Sequence, residues 1–304
     1  MGRRRPRGRD IHGVLLLDKP QGLTSNQALQ EAKRLLAARK AGHTGSLDPI
    51  ATGLLPLCFG EATKISQFLL EADKHYHATL QLGQATDTGD AEGEVLETRP
   101  VRVDRAAVER ALERFRGEIQ QVPPMHSAIK HQGQPLYKLA RQGVSLDLPA
   151  RPVRVHALEV AGWEADSGRL ELDIRCSRGF YVRSLARDLG ALLGCGAHVA
   201  ALRRLGVGGL DVGEAVDLEA LRAAGGPAAR ERYLIPADRA LSFLPAVRLA
   251  PDAAYYLCQG QPVRAADAPR SGWLRLYGEG DRFLGVGRVL DDGRVAPKRL
   301  MHHG

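Results

Sequence analysis

Aromatic residues and long apolar runs are both scarce in this chain of 304 residues. Phe, Trp and Tyr together make up 5% of the sequence, so an aromatic side chain in a polar stretch is an informative functional candidate. No apolar run approaches the roughly 18 residues that a membrane-spanning helix requires. The first ten residues carry five arginines and are not followed by an apolar segment of signal-peptide length. We therefore expect a soluble protein without a membrane anchor.

Cysteine is also rare, and the sequence motifs of several cofactor sites are missing. The four cysteines are widely spaced and form no CxxC pair, which is typical of reduced thiols in a cytoplasmic protein. No GxxxxGK[ST], GxGxxG or HExxH motif is present. His75 and His77 are too few to hold zinc without a third ligand nearby. The sequence therefore predicts no metal and no cofactor.

The bulk composition is that of an ordinary globular protein with an excess of positive charge. Hydrophobic residues make up 44% and charged residues 26%, and the net charge is +8. A length of 304 residues allows one large domain, or one large and one small domain. Because Lys and Arg release counterions from phosphates, the charge favours a polyanionic partner such as RNA.

One stretch, residues 42–53 with the sequence GHTGSLDPIATG, is the main functional candidate. Its glycines and proline exclude a regular helix or a central strand and predict a shaped loop. Asp48 lies at the centre of this loop and precedes a proline, which pushes its backbone towards an extended conformation. Taken alone, Asp48 fits an Asx turn that caps nearby N–H groups as well as it fits a functional carboxylate.

Hydrophobic periodicity predicts both helices and strands elsewhere. The predicted helices begin at Thr24 or Ser25, span 61–72, follow the N-cap Asp104, and run from Tyr181 to Gly194. The predicted strands cover residues 14–17, 76–82, 169–176, 273–277 and 283–289. Asp87, Asp90 and Glu92 fall in a Gly/Thr stretch that suits a solvated hairpin loop. The same three carboxylates also resemble a metal cluster.

Composition divides the rest of the chain into segments with different predicted structures. Residues 1–10 form an arginine-rich segment that we expect to be a disordered tail. Residues 211–244 are predicted to contain short helices, and residues 245–304 a small β-rich domain. Residues from about 121 to 150 are basic and irregular, and we interpret them as a surface insertion.

The loop and its continuation read GHTGSLDPIATGLLPLCFGEATK at 42–64. Further motifs along nearly the whole chain are LLLDKP at 15–20, DKHY at 73–76, LGQATDT at 82–88, QVPPMHSAIK at 121–130, CSRGFYVR at 176–183 and LRRL at 202–205. In residues and in order, these motifs resemble the bacterial tRNA pseudouridine(55) synthases of the TruB family.

The resemblance implies an α+β fold, with a mixed, mainly antiparallel sheet flanked by helices. It implies a catalytic domain over 11–244, with an insertion at about 121–150 that folds over the RNA. It makes 245–304 a PUA-like RNA-binding domain. The implied reaction isomerises uridine at position 55 in the T loop of tRNA to pseudouridine after base flipping. No cofactor, guide RNA or second subunit is expected, and the location is cytoplasmic.

The resemblance also implies the roles of three catalytic residues. Asp48 corresponds to the nucleophile of the family. Arg183 corresponds to the arginine that forms an ion pair with it, and Tyr181 lies near the base ring and takes part in proton transfer. Whether the carboxylate attacks C1′ or C6 of the nucleotide stays open.

Further residues are implied to bind the substrate. Tyr76 corresponds to the residue that stacks on the target base, and Leu202 to an apolar residue that lines the base pocket. His43 corresponds to a positioning residue in the RNA-binding cleft. The phosphate-contact candidates are Lys64, Lys130, Arg203 and Arg204.

Three alternatives remain at this stage. The first is an RNA-binding module without catalysis, which would share the charge and the tyrosines. The second is a metal-dependent nucleic-acid hydrolase that uses Asp48, Asp87 and Asp90. The third is a guide-RNA-dependent relative, against which the GEATK sequence at 60–64 and the short C-terminal domain argue.

Overall fold

A computed structural model describes residues 8–127, 129–140, 142–144 and 146–302. The chain forms two compact units. The first consists of Met1–Asp48, Leu54–Glu71 and Val207–Gly304, and the second of Pro49–Gly53 and Ala72–Gly206. Within the described ranges, no helix combines the length and the apolar character needed to cross a membrane.

The elements follow one another along the chain in both units. Up to residue 121 they are β1 Gly13–Lys19, α1 Ser25–Leu35, β2 Ala41–His43, β3 Thr52–Phe59, α2 Ser66–Glu71, β4 Lys74–Leu82, β5 Gln84–Thr86, β6 Val95–Thr98, α3 Arg105–Leu112 and β7 Gly117–Gln121. Up to residue 207 they are β8 Lys130–His131, β9 Gln134–Pro135, α4 Leu136–Ala140, β10 Arg151–Glu164, β11 Arg169–Cys176, α5 Val182–Leu193 and β12 Ala197–Val207. The remaining elements are β13 Leu210–Asp211, α6 Leu218–Ala223, α7 Pro227–Arg230, β14 Leu234–Ile235, α8 Ala237–Ala240, β15 Ala246–Arg248, α9 Pro251–Cys258, β16 Trp273–Tyr277, β17 Phe283–Val289 and β18 Val295–Leu300.

In the first unit, the apolar strand β1 lies between β14 and β3. Its pairing with β14 is antiparallel and places Val14 opposite Ile235. Helix α1 begins as predicted at Thr24. The Thr24 hydroxyl accepts a hydrogen bond from the Gln27 backbone, and the Gln27 side chain accepts one from the Thr24 N–H. This reciprocal capping satisfies two backbone donors that a helix start would otherwise leave without partners.

The C-terminal segment of the first unit forms its own sheet, in the order β15-β16-β17-β18. Its buried core includes Leu257, Leu274, Leu276 and Leu284. The predicted strands at 273–277 and 283–289 are confirmed, and the segment is β-rich as expected. The Trp273 ring contacts the ring of Phe68 on α2 edge-on, with 5.3 Å between their centroids. The outer boundaries predicted for this domain stay a prediction.

In the second unit, the hydrogen-bonded order begins with the first two residues of β3 and continues β12-β4-β11-β10-β7. The β3–β12 pairing is parallel, whereas β4, β11, β10 and β7 pair antiparallel. The sheet is therefore mixed and mainly antiparallel, as predicted. One sheet face and helices α3 and α5 contribute to a hydrophobic cluster that includes Leu80, Leu172, Leu112 and Leu185.

The alternation predicted for β4 is confirmed. Ala78 and Leu80 belong to the hydrophobic cluster, and Tyr76 packs against it. On the opposite face, His75 lies 2.7 Å from Asp173, and His77 lies 3.8 Å from a carboxylate oxygen of Glu171. Both histidines therefore have carboxylate neighbours on β11, the adjacent strand.

The long strand β10 was not predicted from the sequence. Its register against β11 shifts twice, between Val155 and Ala157 and again between Val160 and Gly162. Each shift inserts an extra residue and so moves the following side chains to the other face. The apolar alternation is broken at both points, which hides a strand of 14 residues.

The predicted N-terminal tail lies largely outside the described residues, which begin at residue 8. Arg9 donates its backbone N–H to the Ala37 carbonyl and forms an ion pair with Glu231. Asp10 pairs with Arg39 at 2.8 Å. Residues 9 and 10 are thus attached to the first unit, in contrast to the disordered tail predicted over 1–10. Backbone pairing and ion pairs fix them, and an arginine-rich composition does not reveal such partners.

Candidate functional site

The loop that carries Asp48 is held in the first unit by a serine from α1. The Ser25 hydroxyl donates to the Leu47 carbonyl at 3.1 Å and accepts the Leu47 N–H at 2.7 Å. Both residues are buried. A single side chain therefore satisfies both polar groups of the residue next to Asp48, whose own side chain is partly exposed.

Upstream, the loop leaves strand β2 at His43. His43 is opposite Leu57 in the antiparallel pairing of β2 with β3. The fully buried Thr44 donates both its backbone N–H and its hydroxyl to the Pro56 carbonyl, at 3.2 and 3.1 Å. The loop is thus fixed at Thr44 and at Leu47, on both sides of Gly45, whose φ of 116° favours glycine.

Downstream of Asp48, the chain is anchored in the second unit. Thr52 and Gly53 at the start of β3 pair with Arg203 and Arg204 of β12. Gly53 has a φ of 99°, and a Cβ atom there would lie 2.3 Å from the Arg204 carbonyl oxygen. Only glycine fits this position, so the last glycine of the GHTGSLDPIATG stretch serves a close backbone approach.

Arg183 lies in the first turn of α5 and is buried. Its guanidinium donates to the Thr88 carbonyl at 3.1 Å and to the His126 carbonyl at 2.7 Å. Its Nε lies 3.6 Å from Oδ2 of Asp90. Two separate chain segments thus fix the orientation of the arginine that was predicted to pair with Asp48. Asp48 belongs to the first unit and Arg183 to the second, and their ion pair stays a prediction.

Asp90 lies in the predicted hairpin loop between β5 and β6. One of its carboxylate oxygens accepts the Thr88 hydroxyl at 2.6 Å and the Glu92 N–H at 3.1 Å. Asp87 accepts the N–H of Glu94 at 2.8 Å. Both carboxylates stabilise their own loop, and Asp90 also faces Arg183, an arrangement that suits an arginine partner better than a metal cluster.

Tyr181 is the N-cap residue of α5, and its side chain is partly exposed. Both of its backbone polar groups bind the side chain of Gln121 at the end of β7. The Gln121 Nε2 donates to the Tyr181 carbonyl at 3.0 Å, and the Gln121 Oε1 accepts the Tyr181 N–H at 2.8 Å. The side chain of a residue 60 positions away therefore fixes the backbone of Tyr181.

Tyr76 and Leu202 lie on the neighbouring strands β4 and β12. Both are partly exposed and pack against the hydrophobic cluster of the second unit. Tyr76 and Leu202 therefore share one core, and Tyr181 and Arg183 lie at the start of α5, whose residues Val182 and Leu185 belong to that core. A cavity of about 400 Å³ adjoins this region and is lined by Arg183, Arg187 and residues 85–89.

The two lysines predicted to contact phosphates have different surroundings. Lys130 is exposed on β8. Lys64 is only partly exposed, pairs with Glu61 at 2.5 Å, and donates to the Leu300 carbonyl at 2.9 Å. Lys64 therefore links residues after β3 to the C-terminal sheet, a role that the sequence did not indicate. Its contact with RNA stays a prediction.

Lys74, at the start of β4, has a lowered pKa. Burial, followed by the positive charge of Arg204, lowers the pKa of Lys74 from 10.5 to about 8. Its ammonium group donates to the Ala72 carbonyl at 2.5 Å. The second unit thus holds a partly buried positive charge two residues before Tyr76, near the fully buried Arg204.

Sequence reasoning missed the residues that position the site. Ser25 was considered only as a helix cap, Asp90 only as a loop or metal carboxylate, and Gln121 only as the start of an insertion. Each makes its decisive contact with a residue at least 22 positions away. The motif resemblance gave the only available signal, because Gln121 lies inside one of the matching stretches.

Comparison with known proteins now identifies the family. Residues 33–182 match the protein family described as "TruB family pseudouridylate synthase (N terminal domain)". Residues 183–242 match the family described as "tRNA pseudouridylate synthase B C-terminal domain". Residues 245–301 match the family described as "Pseudouridine synthase II TruB, C-terminal". A tRNA pseudouridine synthase B from Ectopseudomonas mendocina is 55% identical, covering 97% of each chain. The chain belongs to the TruB family.

Other members of the family and solved structures agree with this assignment. A tRNA pseudouridine synthase B from Pseudomonas aeruginosa is 54% identical over 96% of this chain and 97% of its own. A chain of a Cbf5-Nop10-Gar1 complex has a TM-score of 0.73 at 25% identity, covering 96% of this chain and 84% of its own. A chain of an H/ACA RNP bound to a substrate RNA has the same TM-score at 23% identity, covering 96% and 85%. The pseudouridine synthase fold predicted from the sequence is therefore confirmed.

Proposed function

We propose that this chain is a tRNA pseudouridine synthase that converts uridine 55 in the T loop of tRNA into pseudouridine. The observation that carries the proposal is the 55% identity, over 97% of both chains, to a protein named tRNA pseudouridine synthase B. The anchored Asp48 loop and the buried, oriented Arg183 support an active enzyme over an RNA-binding module without catalysis.

The reaction is an isomerisation. The C1′–N1 bond of uridine breaks, the uracil rotates, and a C1′–C5 bond forms. C5 loses its hydrogen as a proton, and N1 carries a proton in the product, so atoms and electrons balance within the substrate. No oxidant, reductant or energy source is consumed, which agrees with the prediction that no cofactor is used.

Asp48 is the proposed nucleophile. Carboxylates have a reference pKa of about 3.9, so Asp48 needs no general base at neutral pH. A carboxylate can attack a sugar carbon and leave again, as in retaining glycosidases. Attack at C1′ and attack at C6 of the uracil are both compatible with this chemistry. The bonds from Ser25 and Thr44 hold the loop in place, which lowers the entropic cost of positioning the carboxylate.

Arg183 is proposed to hold Asp48 ionised and oriented. An arginine beside a carboxylate favours its charged form and so lowers the carboxylate pKa. The guanidinium of Arg183 is held by the carbonyls of Thr88 and His126 and by the charge of Asp90. An arginine fixed in this way needs little reorganisation when the substrate binds.

The target base is proposed to leave its stack and enter the second unit. Flipped bases are commonly held by stacking on aromatic faces. Tyr76 supplies the stacking face, Leu202 lines the base pocket, and Tyr181 takes part in proton transfer. Tyr76 and Leu202 pack against the same hydrophobic cluster, and the Gln121 hydrogen bonds hold the Tyr181 backbone.

The rest of the RNA is proposed to bind through positive charge. The net charge of +8 suits a polyanion. Lys130 on the 121–150 insertion, together with His43, contacts the T stem-loop, while the C-terminal PUA-like domain binds elsewhere on the tRNA. The enzyme acts as a cytoplasmic monomer without a guide RNA. Support for an unguided enzyme comes from full-length identity of 55% to a tRNA pseudouridine synthase B, against 25% to a chain of the Cbf5 complex.

The test is pseudouridine formation on an unmodified tRNA transcript in the presence of a chelator. Wild-type protein is compared with Asp48→Asn, and a transcript with cytidine at position 55 serves as the matched substrate control. We expect product with wild-type protein and the uridine transcript only. We expect Asp48→Asn to bind the transcript with an affinity within about threefold of wild type, because one charge among many phosphate contacts is minor.

Other outcomes identify the alternatives. Product from Asp48→Asn would remove Asp48 from the nucleophile role. Tight binding without product from wild type would favour the RNA-binding module or the guide-dependent enzyme. Cleavage of the transcript that stops when the chelator is added would favour the metal-dependent hydrolase.

A further inference from the structure

Gln121 and Tyr181 form a reciprocal pair of hydrogen bonds. The carboxamide of Gln121 donates to the Tyr181 carbonyl at 3.0 Å and accepts the Tyr181 N–H at 2.8 Å. Gln121 is buried, with 3% of its surface exposed. The side chain thus binds the backbone of Tyr181 as a neighbouring β-strand would.

This contact occurs at the N-terminal end of α5. Tyr181 is the N-cap residue of α5, and its own side chain makes no capping hydrogen bond. The backbone is extended at Tyr181, with φ −117° and ψ 115°. The Tyr181 carbonyl also accepts the Leu185 N–H of the helix at 3.1 Å. Because residues at a helix start are prone to fraying, the two bonds from Gln121 help to fix the Tyr181 backbone.

The segment that follows Gln121 is bound to the same end of α5. Ser184 donates its hydroxyl to the Val122 carbonyl at 2.7 Å. Arg183 donates to the His126 carbonyl at 2.7 Å. Residues 121–126, which open the predicted RNA-covering insertion, are therefore connected to residues 181–184 by hydrogen bonds of 2.7–3.0 Å.

The backbone of Gln121 is fixed by strand pairing. It is the last residue of β7, where its backbone lies opposite Arg151 of β10. The strand provides a fixed base from which the carboxamide reaches Tyr181. Gln120, the preceding residue of the strand, is exposed and carries the same functional group.

We infer that Gln121 is a positioning residue, which sets the backbone of Tyr181 and couples the insertion to Tyr181 and Arg183. The inference rests on the proposed function, because it concerns the rate at which that site acts. Because Val122 and His126 are hydrogen-bonded to Ser184 and Arg183, the position of residues 122–126 and that of the start of α5 depend on each other. Gln121 therefore acts on the chemical step more than on RNA affinity.

The test uses Gln121→Glu and Gln121→Met, with Gln120→Glu and Gln120→Met as controls on the same strand. Glutamate keeps the acceptor for the Tyr181 N–H but, when ionised, cannot donate to the Tyr181 carbonyl. Methionine keeps the approximate shape and removes both bonds. For each variant, the single-turnover rate of pseudouridine formation and the Kd for the transcript are measured. Assays are run at least 10 °C below the lowest melting temperature, so that every variant is folded.

We expect the single-turnover rate to fall by at least about tenfold in both Gln121 variants, since a misplaced catalytic group is costly. The Kd for RNA should change by less than about threefold, since phosphate contacts dominate affinity. Both Gln120 controls should remain close to wild type.

A pH profile separates positioning from general destabilisation. When protonated, the carboxyl group of Gln121→Glu can again donate to the Tyr181 carbonyl while it accepts the Tyr181 N–H. Burial and this bond favour the protonated form and raise the pKa of such a carboxyl group. The rate of Gln121→Glu relative to wild type should therefore rise as the pH falls from about 8 to about 6, whereas that of Gln121→Met should stay constant.

Two results would overturn the inference. One is a wild-type rate in both Gln121 variants. The other is a loss of RNA affinity as large as the loss of rate, with no pH-dependent recovery in Gln121→Glu. Failure of the proposed function is a separate outcome, because the wild-type protein would then form no pseudouridine at all.

Discussion

Arg183 and Asp90 face each other at 3.6 Å, and both side chains are more than nine-tenths buried. A buried arginine is costly unless a negative charge lies nearby. Asp90 supplies that charge from the loop between β5 and β6, and two local hydrogen bonds fix its carboxylate. The electrostatic environment of the proposed catalytic arginine is therefore set by a residue 93 positions earlier in the chain.

Asp90→Asn removes this charge and keeps the shape of the side chain. The variant should have a lower melting temperature, and its single-turnover rate should fall by at least about tenfold, because Arg183 loses its fixed counter-charge. RNA affinity should stay near that of wild type. Asp87→Asn, in the same loop, is the control and should be much less affected. Equal losses in the two variants would show that only the loop conformation matters.

Ser25→Ala tests the anchor of the Asp48 loop. The change leaves the buried N–H and carbonyl of Leu47 without their partner, which costs about 1–3 kcal/mol per group. Chemical denaturation should show reduced stability, and the single-turnover rate should fall further than the RNA affinity does. Asn26→Ala changes the exposed neighbour on the same helix turn and is the control. A fully active Ser25→Ala variant would mean that the loop does not need this anchor.

Tyr76→Ala tests the proposed stacking on the target base. We expect the rate of pseudouridine formation to fall by at least about tenfold, since stacking on an aromatic face is worth about 1–3 kcal/mol per base. Tyr76→Phe keeps the ring and should retain most of the activity. Titration with transcript should show little change in affinity for the RNA body. A loss confined to affinity would argue against base stacking.

The cysteines should differ strongly in their reaction with a thiol reagent. Cys258 is exposed, whereas Cys58 and Cys176 are buried, and burial raises the pKa of both buried thiols to about 12. Because the thiolate is the reactive form, we expect modification at Cys258 first at neutral pH. Cys58 and Cys176 should react only after unfolding. Mass spectrometry of digested protein reads out the order, and early modification of Cys58 would contradict the burial described above.

Lys74 should give the folding stability a specific pH dependence. Burial, with the charge of Arg204, lowers its pKa to about 8 in the folded protein. Between that value and its unfolded pKa of about 10.4, the unfolded chain binds more protons, so stability rises with pH. The stability of Lys74→Met relative to wild type should therefore be highest below about pH 8 and fall as the pH rises. Melting temperatures of both proteins at several pH values measure this difference, and a constant difference would contradict the lowered pKa.

The regular elements could be predicted from the sequence where side chains alternate without interruption. Strand β11 spans residues 169–176 and β16 spans 273–277, as the apolar periods indicated. The cap at Thr24 and the helix end at Gly194, whose φ is 77°, follow from local residue types. Strand β10 was hidden because two register shifts interrupt its alternation.

The site was only partly predictable for a different reason. The motif resemblance identified the Asp48 loop, but the contacts of Ser25, Asp90 and Gln121 join residues far apart in the chain. Such contacts depend on sheet order and register, which a single sequence does not encode locally. Lys64 illustrates the limit, because its charge suggested a phosphate contact, whereas its closest partners are Glu61 and the Leu300 carbonyl.

The discontinuous first unit has a consequence for folding during synthesis. Strand β1 lies between β3, which follows it closely in the sequence, and β14, but β14 lies at Leu234–Ile235, more than 200 residues later. At about 5–20 residues per second, β1 waits on the order of 10–40 seconds for that partner. The sheet of the second unit is complete once β12 ends at Val207. The second unit can therefore complete its sheet while one edge of β1 still lacks β14, and an unpaired strand edge is a site where other chains can add.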